Sequence, residues 1–221
     1  MNNVNIPKRQ YHHGNLREAL IKAGMRAVAE HGPDGFSLRE VATRAGVTPP
    51  AVYRHFKDKD ELLAAVAAES AERLAATVNE ALAAETGNSL ARFRAVGIAY
   101  VQFAVAHPEH FRALSVPGLL RRLTGDKRAE VDAWSLQQRA DIEAGQAAGE
   151  IADIPIDELL LAANATVHGL AHLIVEGQLG PVDAKRGKQL AIALTGALGV
   201  GFIPRDAPPT DPMRPGLKRK H

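Results

Sequence analysis

No cysteine occurs in the 221 residues, which excludes a disulfide framework, thiolate catalysis and cysteine-ligated zinc. Aromatics are scarce at 5%. The first ten residues contain no apolar core of a signal peptide, and the longest run of apolar and small residues, near 191–203, falls short of a membrane span. A soluble, cytoplasmic protein without membrane association is expected. Phosphate-binding loops of the Walker type, dinucleotide glycine fingerprints, nucleophile elbows and paired-histidine zinc motifs are also missing. The nine histidines are scattered. Catalytic groups need not be sequence neighbours, but nothing argues for an enzyme, and no catalytic residue, cofactor or metal is assigned. Alternating Val/Ile/Thr runs are absent too, so strands are not expected and the fold class is all-α.

What is present is long Ala- and Leu-rich segments cut by Gly, Pro and cap residues. A net charge of +2 says little. Its distribution says more. Residues 1–60 carry 10 basic against 6 acidic side chains, 61–204 carry 12 against 17, and 205–221 carry 5 against 2. A basic head on an acidic body suits a head that meets a polyanion, although scattered surface charge could give the same count.

The head is the most legible part. Asn15 to Glu18, Ser37 to Glu40 and Asp58 to Glu61 each place a polar acceptor three residues before a Glu, the capping-box arrangement at a helix start. Thr48 offers a hydroxyl cap with Pro49 in the first helical position. Gly32-Pro33 and Gly46 mark stops. The spacing predicts helices over 15–31, 38–45 and 49–56, then a long one from Asp58 into the eighties. Two short helices joined through Gly46-Val47 make a helix-turn-helix. Its apolar positions Leu38, Val41, Ala42, Ala45, Val52 and Phe56 face Leu20, Ala23, Ala27 and Val28, leaving a polar, mostly cationic face.

The run FSLREVATRAGVTPPAVYRHFKDKDELL, residues 36–63, resembles the DNA-binding domain of TetR-family transcription regulators over nearly its whole length. The resemblance implies an all-helical homodimer that grips double-stranded operator DNA and answers to a small-molecule effector of unknown identity. It divides the chain into a flexible basic arm (1–14), a helix-turn-helix domain (15–62), a ligand-binding and dimerisation domain (63–203) and a disordered Pro-rich tail (204–221). It places Arg39, Thr48, Pro49, Pro50 and Tyr53 at or near base edges and makes Tyr53, His55 and Lys59 phosphate anchors. With Ser37 and Arg54 these form the expected DNA surface. Arg39 is the long cation suited to a bidentate guanine contact from the second helix, with Arg54 next. Tyr53 has a packing role as its alternative, and Arg54 a merely solvated one.

The body is predicted to continue as helices near 89–107, 108–115, 118–124, 127–148, 156–178 and 184–202. The segments around His107 to Arg112 and Val167 to Leu170 resemble a TetR regulatory-domain subclass, but Asn164 stands where that subclass usually has Trp. The resemblance implies that the last two long helices, rich in Ala and Gly, pair with their mates in a second subunit. Asn164, His168, His172 and Glu176 recur every four residues, a polar stripe that suits an interface seam, a cavity wall or, less well, a metal. Tyr100, Phe103, His107, Trp134, Asn164, His168 and His172 are the expected pocket residues, each with plain core as its alternative.

Overall fold

A computed structural model describes residues 16–202. The basic arm 1–14, Asn15 with its capping box and the tail 204–221 lie outside the described residues. The described chain is helical, without strands: α1 (Leu16–His31), α2 (Leu38–Ala45), α3 (Pro49–Tyr53), α4 (Lys59–Ala84), α5 (Ser89–Ala106), α6 (Pro108–Leu114), a 3₁₀ turn (Leu120–Arg122), α7 (Gly125–Ala147), α8 (Ile156–Val175) and α9 (Ala184–Phe202).

The caps of α2 and α4 are made as the sequence predicts. The Ser37 hydroxyl accepts from the Glu40 amide at 3.2 Å and the Asp58 carboxylate from the Glu61 amide at 2.8 Å. The reciprocal half of each box is redirected: the Glu61 carboxylate takes the Lys57 amide, and Glu40 takes Arg44. Gly46, at φ 69°, closes α2 in the left-handed region, where a β-carbon would be strained. Thr48 holds the cap position of α3, but its hydroxyl accepts nothing. The physical reason is that Pro49 and Pro50 have no N–H to give, while the Ala51 amide bonds the Thr48 carbonyl at 2.9 Å. Helix α3 is also shorter than predicted. Beyond Arg54 the chain tightens, with the His55 and Phe56 amides both on the Val52 carbonyl, so His55 and Phe56 lie in a turn.

Leu20, Val28, Val41, Val52, Phe56 and Leu62 fill the core of the head, all at most 1% exposed. That core runs past residue 62. Val66 and Ala67 of α4, Ala113 of α6, and Leu119 and Leu123 flanking the 3₁₀ turn belong to it. The head therefore rests on α6 and the 3₁₀ turn as well as on α4. Ion pairs lie across the same joint, Arg26 to Glu109 at 2.8 Å and Arg122 to Asp60. In the body, α5 is central and packs on α4, α8 and α9. Among the described residues α8 alone is long and apolar enough to cross a membrane by length and composition, although no membrane span is expected from the sequence. It packs against α5 and α9, with 22% of its apolar stretch buried.

Candidate DNA-reading face and body chamber

The folding of α2 and α3 onto α1 leaves Arg39, Thr48, Pro49, Pro50, Tyr53 and Arg54 exposed on the outer surface of the helix-turn-helix, with Tyr53 at 53%. Among the described residues the Arg39 and Arg54 guanidinium groups have no hydrogen bond or ion pair, so both can engage an external acceptor. Arg44, also on α2, is committed to Glu30 and Glu40 at 2.6 and 2.7 Å. Ser37 serves as the α2 cap. His55 is half-buried. The Lys59 ammonium donates to the Asp34 and Phe36 carbonyls at 3.2 and 3.4 Å and stands 5.3 Å from the centre of the Phe36 ring, tying the α1–α2 loop to the start of α4.

The body holds three neighbouring cavities that share Trp134, the single tryptophan of the chain. The outer two have volumes of about 550 and about 340 Å³, and the innermost about 160 Å³. Leu74, Val78 and Asn79 bring α4 to their walls. Volumes and apolar walls of this kind suit a small organic ligand.

Apart from His168, the expected pocket residues divide among four places. Tyr100, Trp134 and Asn164 line the innermost cavity. Phe103 is fully buried core. His107 sits at the α5–α6 junction, its ring 5.8 Å from that of Phe103 and 5.6 Å from that of His110. His172 is exposed and lines a surface groove with Glu176, which pairs with Arg112 of α6 at 2.9 Å. The four-residue spacing drifts around α8, so the predicted stripe is split between the chamber and the surface. Among the described residues no group of three or more His, Asp or Glu is placed to hold a metal ion. Sequence reasoning missed Arg94, which lines the innermost cavity. An arginine amid the apolar stretch of α5 was the available signal.

His168 makes a defined contact. The Tyr100 hydroxyl and His168 Nδ1 are 2.8 Å apart. Burial pushes the Tyr100 hydroxyl up to about 12 and, with His172 adding repulsion, holds His168 below its ordinary value of 6.5. Both effects favour a neutral phenol donating to a neutral imidazole. His107 and His110 are also depressed, first by burial. As pH falls below about 6.5 the unfolded chain takes up these protons before the folded one. The stability they confer is therefore fully present above the unfolded value and is lost as pH falls toward the depressed folded values. Urea unfolding should show a midpoint that drops from about pH 7.5 to about pH 5.5. Replacing the pair together, Tyr100→Phe with His168→Phe, should make that drop shallower. An unchanged slope would remove His168 from the acid response.

A helix-turn-helix head with an open cationic face on a cavity-bearing helical body defines a DNA-binding regulator. The sequence profile for bacterial regulatory proteins of the tetR family matches residues 20–66, and that for tetracyclin repressor-like C-terminal domains matches 93–198. The chain belongs to the TetR family of transcription regulators, which is not a family of enzymes. It is 38% identical to the transcriptional repressor AcnR of Corynebacterium efficiens over 66 residues, 30% of this chain and 35% of that protein's length. With AcnR of Corynebacterium diphtheriae the identity is 25% over 169 residues, 73% of this chain and 82% of the relative. A Rhodococcus sp. RHA1 structure, described as a protein with unknown function, is 31% identical with a TM-score of 0.63, covering 89% of this chain and all of that one.

Proposed function

We propose that the chain is a cytoplasmic transcription repressor that binds a palindromic operator as a homodimer and is released by a small molecule held in the body chamber. The observation that carries this reading is that α4 begins beneath the reading helix and, further along, walls the chamber. Ligand that favours one position of α4 and α6 would alter the spacing of the two heads, and it releases DNA only in so far as it prefers the non-binding state. Coupling of about 1 to 3 kcal/mol is typical. Likeness to repressors supports the sign of regulation.

In this reading Arg39 reads a base, with Arg54 beside it. Thr48, Pro49 and Pro50 meet the groove edge, Thr48 with an uncommitted hydroxyl and the prolines through shape or a thymine methyl. Tyr53 and His55 hold phosphates. Ser37 and Lys59 act at the rim, with any phosphate an additional partner for Lys59 beside the two carbonyls it already holds.

Genomic selection of bound DNA fragments, followed by titration of operator variants, tests the proposal. Wild-type protein should enrich a palindrome. Arg39→Ala should lose about 1 to 3 kcal/mol on the cognate operator and relax specificity at one base pair per half-site. Equal loss on every sequence would assign Arg39 to phosphate. Failure to enrich any sequence, with a steep salt dependence, would replace the regulator by a nonspecific architectural protein.

A further inference from the structure

Arg94 is the feature of the chamber that the regulator reading leaves unexplained. It projects from the second turn of α5 and lies over Gly196 and Gly199 of α9, so near that a β-carbon at either would touch its side chain at 3.4 Å. Its Nε is buried without a hydrogen-bond partner. No ion pair of Arg94 occurs among the described residues, and none of the residues lining the innermost cavity is an Asp or Glu, while the same side chain also borders an open surface groove that holds Glu80, Glu85 and Lys188. A guanidinium cannot shed its charge, so an unpaired one with its Nε buried against an apolar cavity gains from an incoming anion that can take two of its N–H groups.

The other cations near the chamber are differently placed. Lys127, on the wall of the outer 550 Å³ cavity, is paired with Glu72 at 2.6 Å and Glu130 at 3.1 Å. Arg92 lines the 340 Å³ cavity together with Asp141 and reaches the Leu82 carbonyl at 3.5 Å. Among the cations that line these three cavities, Arg94 is therefore the one without a hydrogen-bond or ion-pair partner among the described residues. Around it are Phe93, Leu160 and Leu198, and the walls lead past Trp134 into the outer cavities.

We infer that the effector is an apolar carboxylic acid, its carboxylate seated on Arg94 in the innermost cavity and its hydrocarbon or ring body lying against Trp134 in the outer ones. A single guanidinium matches one planar carboxylate by two parallel N–H···O bonds. A phosphate monoester, with nearly two charges, would call for a second cation that the innermost cavity does not supply. The Asn164 amide, contributed to the same cavity by α8, is a further donor for the acid. This inference rests on the chamber being the effector site and adds the class of molecule that fills it.

The test uses full-length protein and the fluorescence of its single tryptophan, Trp134. Decanoate and 2-naphthoate are titrated beside their neutral counterparts, 1-decanol and 2-naphthylmethanol, against wild type, Arg94→Met and Arg94→Lys. Operator release is measured in parallel. The acids should bind wild type roughly tenfold or more tightly than the neutral molecules. Arg94→Met should abolish that preference while the neutral molecules bind as before, and Arg94→Lys should keep part of it. Should Arg94→Met fail to fold, the lysine variant with its single-point contact still decides, because an undiminished acid preference there would overturn a forked guanidinium contact. Acids and neutral molecules binding wild type alike would overturn the inference and leave the chamber as effector site. No response to any of the four would overturn both. Loss of the dimer in Arg94→Met with folding intact would reassign Arg94 to the contact between subunits and overturn the carboxylate site.

Discussion

Leu161→Asp combined with Ala193→Asp is expected to give a folded monomer that no longer binds operator. Helix α8 leaves Leu161 at 71% and Leu173 at 37% exposed, and α9 leaves Ile192 at 44%. Ala162, Ala165, Ala193 and Ala197 are exposed beside them. These positions recur at helical spacing and form an apolar stripe along two neighbouring helices, larger than single scattered side chains would require. Two-fold pairing of such a stripe with its own copy is the commonest closed arrangement, and an obligate interface of this kind buries roughly 2,000 Å² or more. A carboxylate at each position is tolerated in a monomer, where water solvates it. In the interface it has no partner and costs several kcal/mol, of the order of about 2 to 7. Operator affinity should then fall by about two orders of magnitude or more, since a lone head engages one half-site. Sedimentation at micromolar concentration checks the mass, and operator titration the binding. A wild-type monomer would sink the dimer and the palindrome with it.

The parts of this molecule that were readable before the structure are those governed by a few residues in a row. Ser37, Asp58 and Gly46 act on their own helix ends, so their roles follow from local hydrogen bonding. The run 36–63 carried the resemblance because the packing of α2 on α3 depends on short-range spacing. Local rules also failed locally. Thr48 looked like a hydroxyl cap because Thr usually is one, and two successive prolines removed the amide it needed. The predicted helix over 156–178 ends at Val175 because Gly177, at φ 72°, terminates it, with the Gln178 amide on the Leu173 carbonyl at 2.9 Å.

The chamber was less legible because its innermost cavity alone is assembled from five helices, α4, α5, α7, α8 and α9, far apart in sequence. Tyr100 and Asn164 stand out as polar groups within apolar helices and Trp134 as the single tryptophan, and the structure places all three on the lining of one cavity. Phe103, with the same signature, is core. A one-helix stripe could not say which side of α8 meets α5, so His168 and His172 were grouped although they face different surroundings. Arg94 needed both the partner helix and the count of nearby acids. Its missing counter-ion is a tertiary fact.

Phe56→Ala should abolish operator binding while the body stays helical and paired. Phe56 is 1% exposed and closes the turn between the reading helix and α4, packed in the core that unites α1, α2 and α3, with the Arg17 guanidinium 5.3 Å from its ring centre. Removing a buried Phe ring typically costs about 3 to 5 kcal/mol, because lost burial and the cavity left behind both count. A domain of the head's size has at most a few kcal/mol of its own, at roughly 0.05 to 0.15 kcal/mol per residue. The loss is therefore comparable with everything that holds α3 against α4, even though α6 and the 3₁₀ turn lend support from below. The cores around Ile142 and around Val101 and Val167 share no residue with the one Phe56 occupies. Circular dichroism should accordingly lose mainly the signal of α1, α2 and α3, and sedimentation should report the same mass as for the wild type. Phe56→Leu, which keeps most of the apolar volume, should recover much of the binding. Operator affinity of Phe56→Ala within tenfold of wild type would show that the reading helix is held by its remaining contacts and that the ring is dispensable.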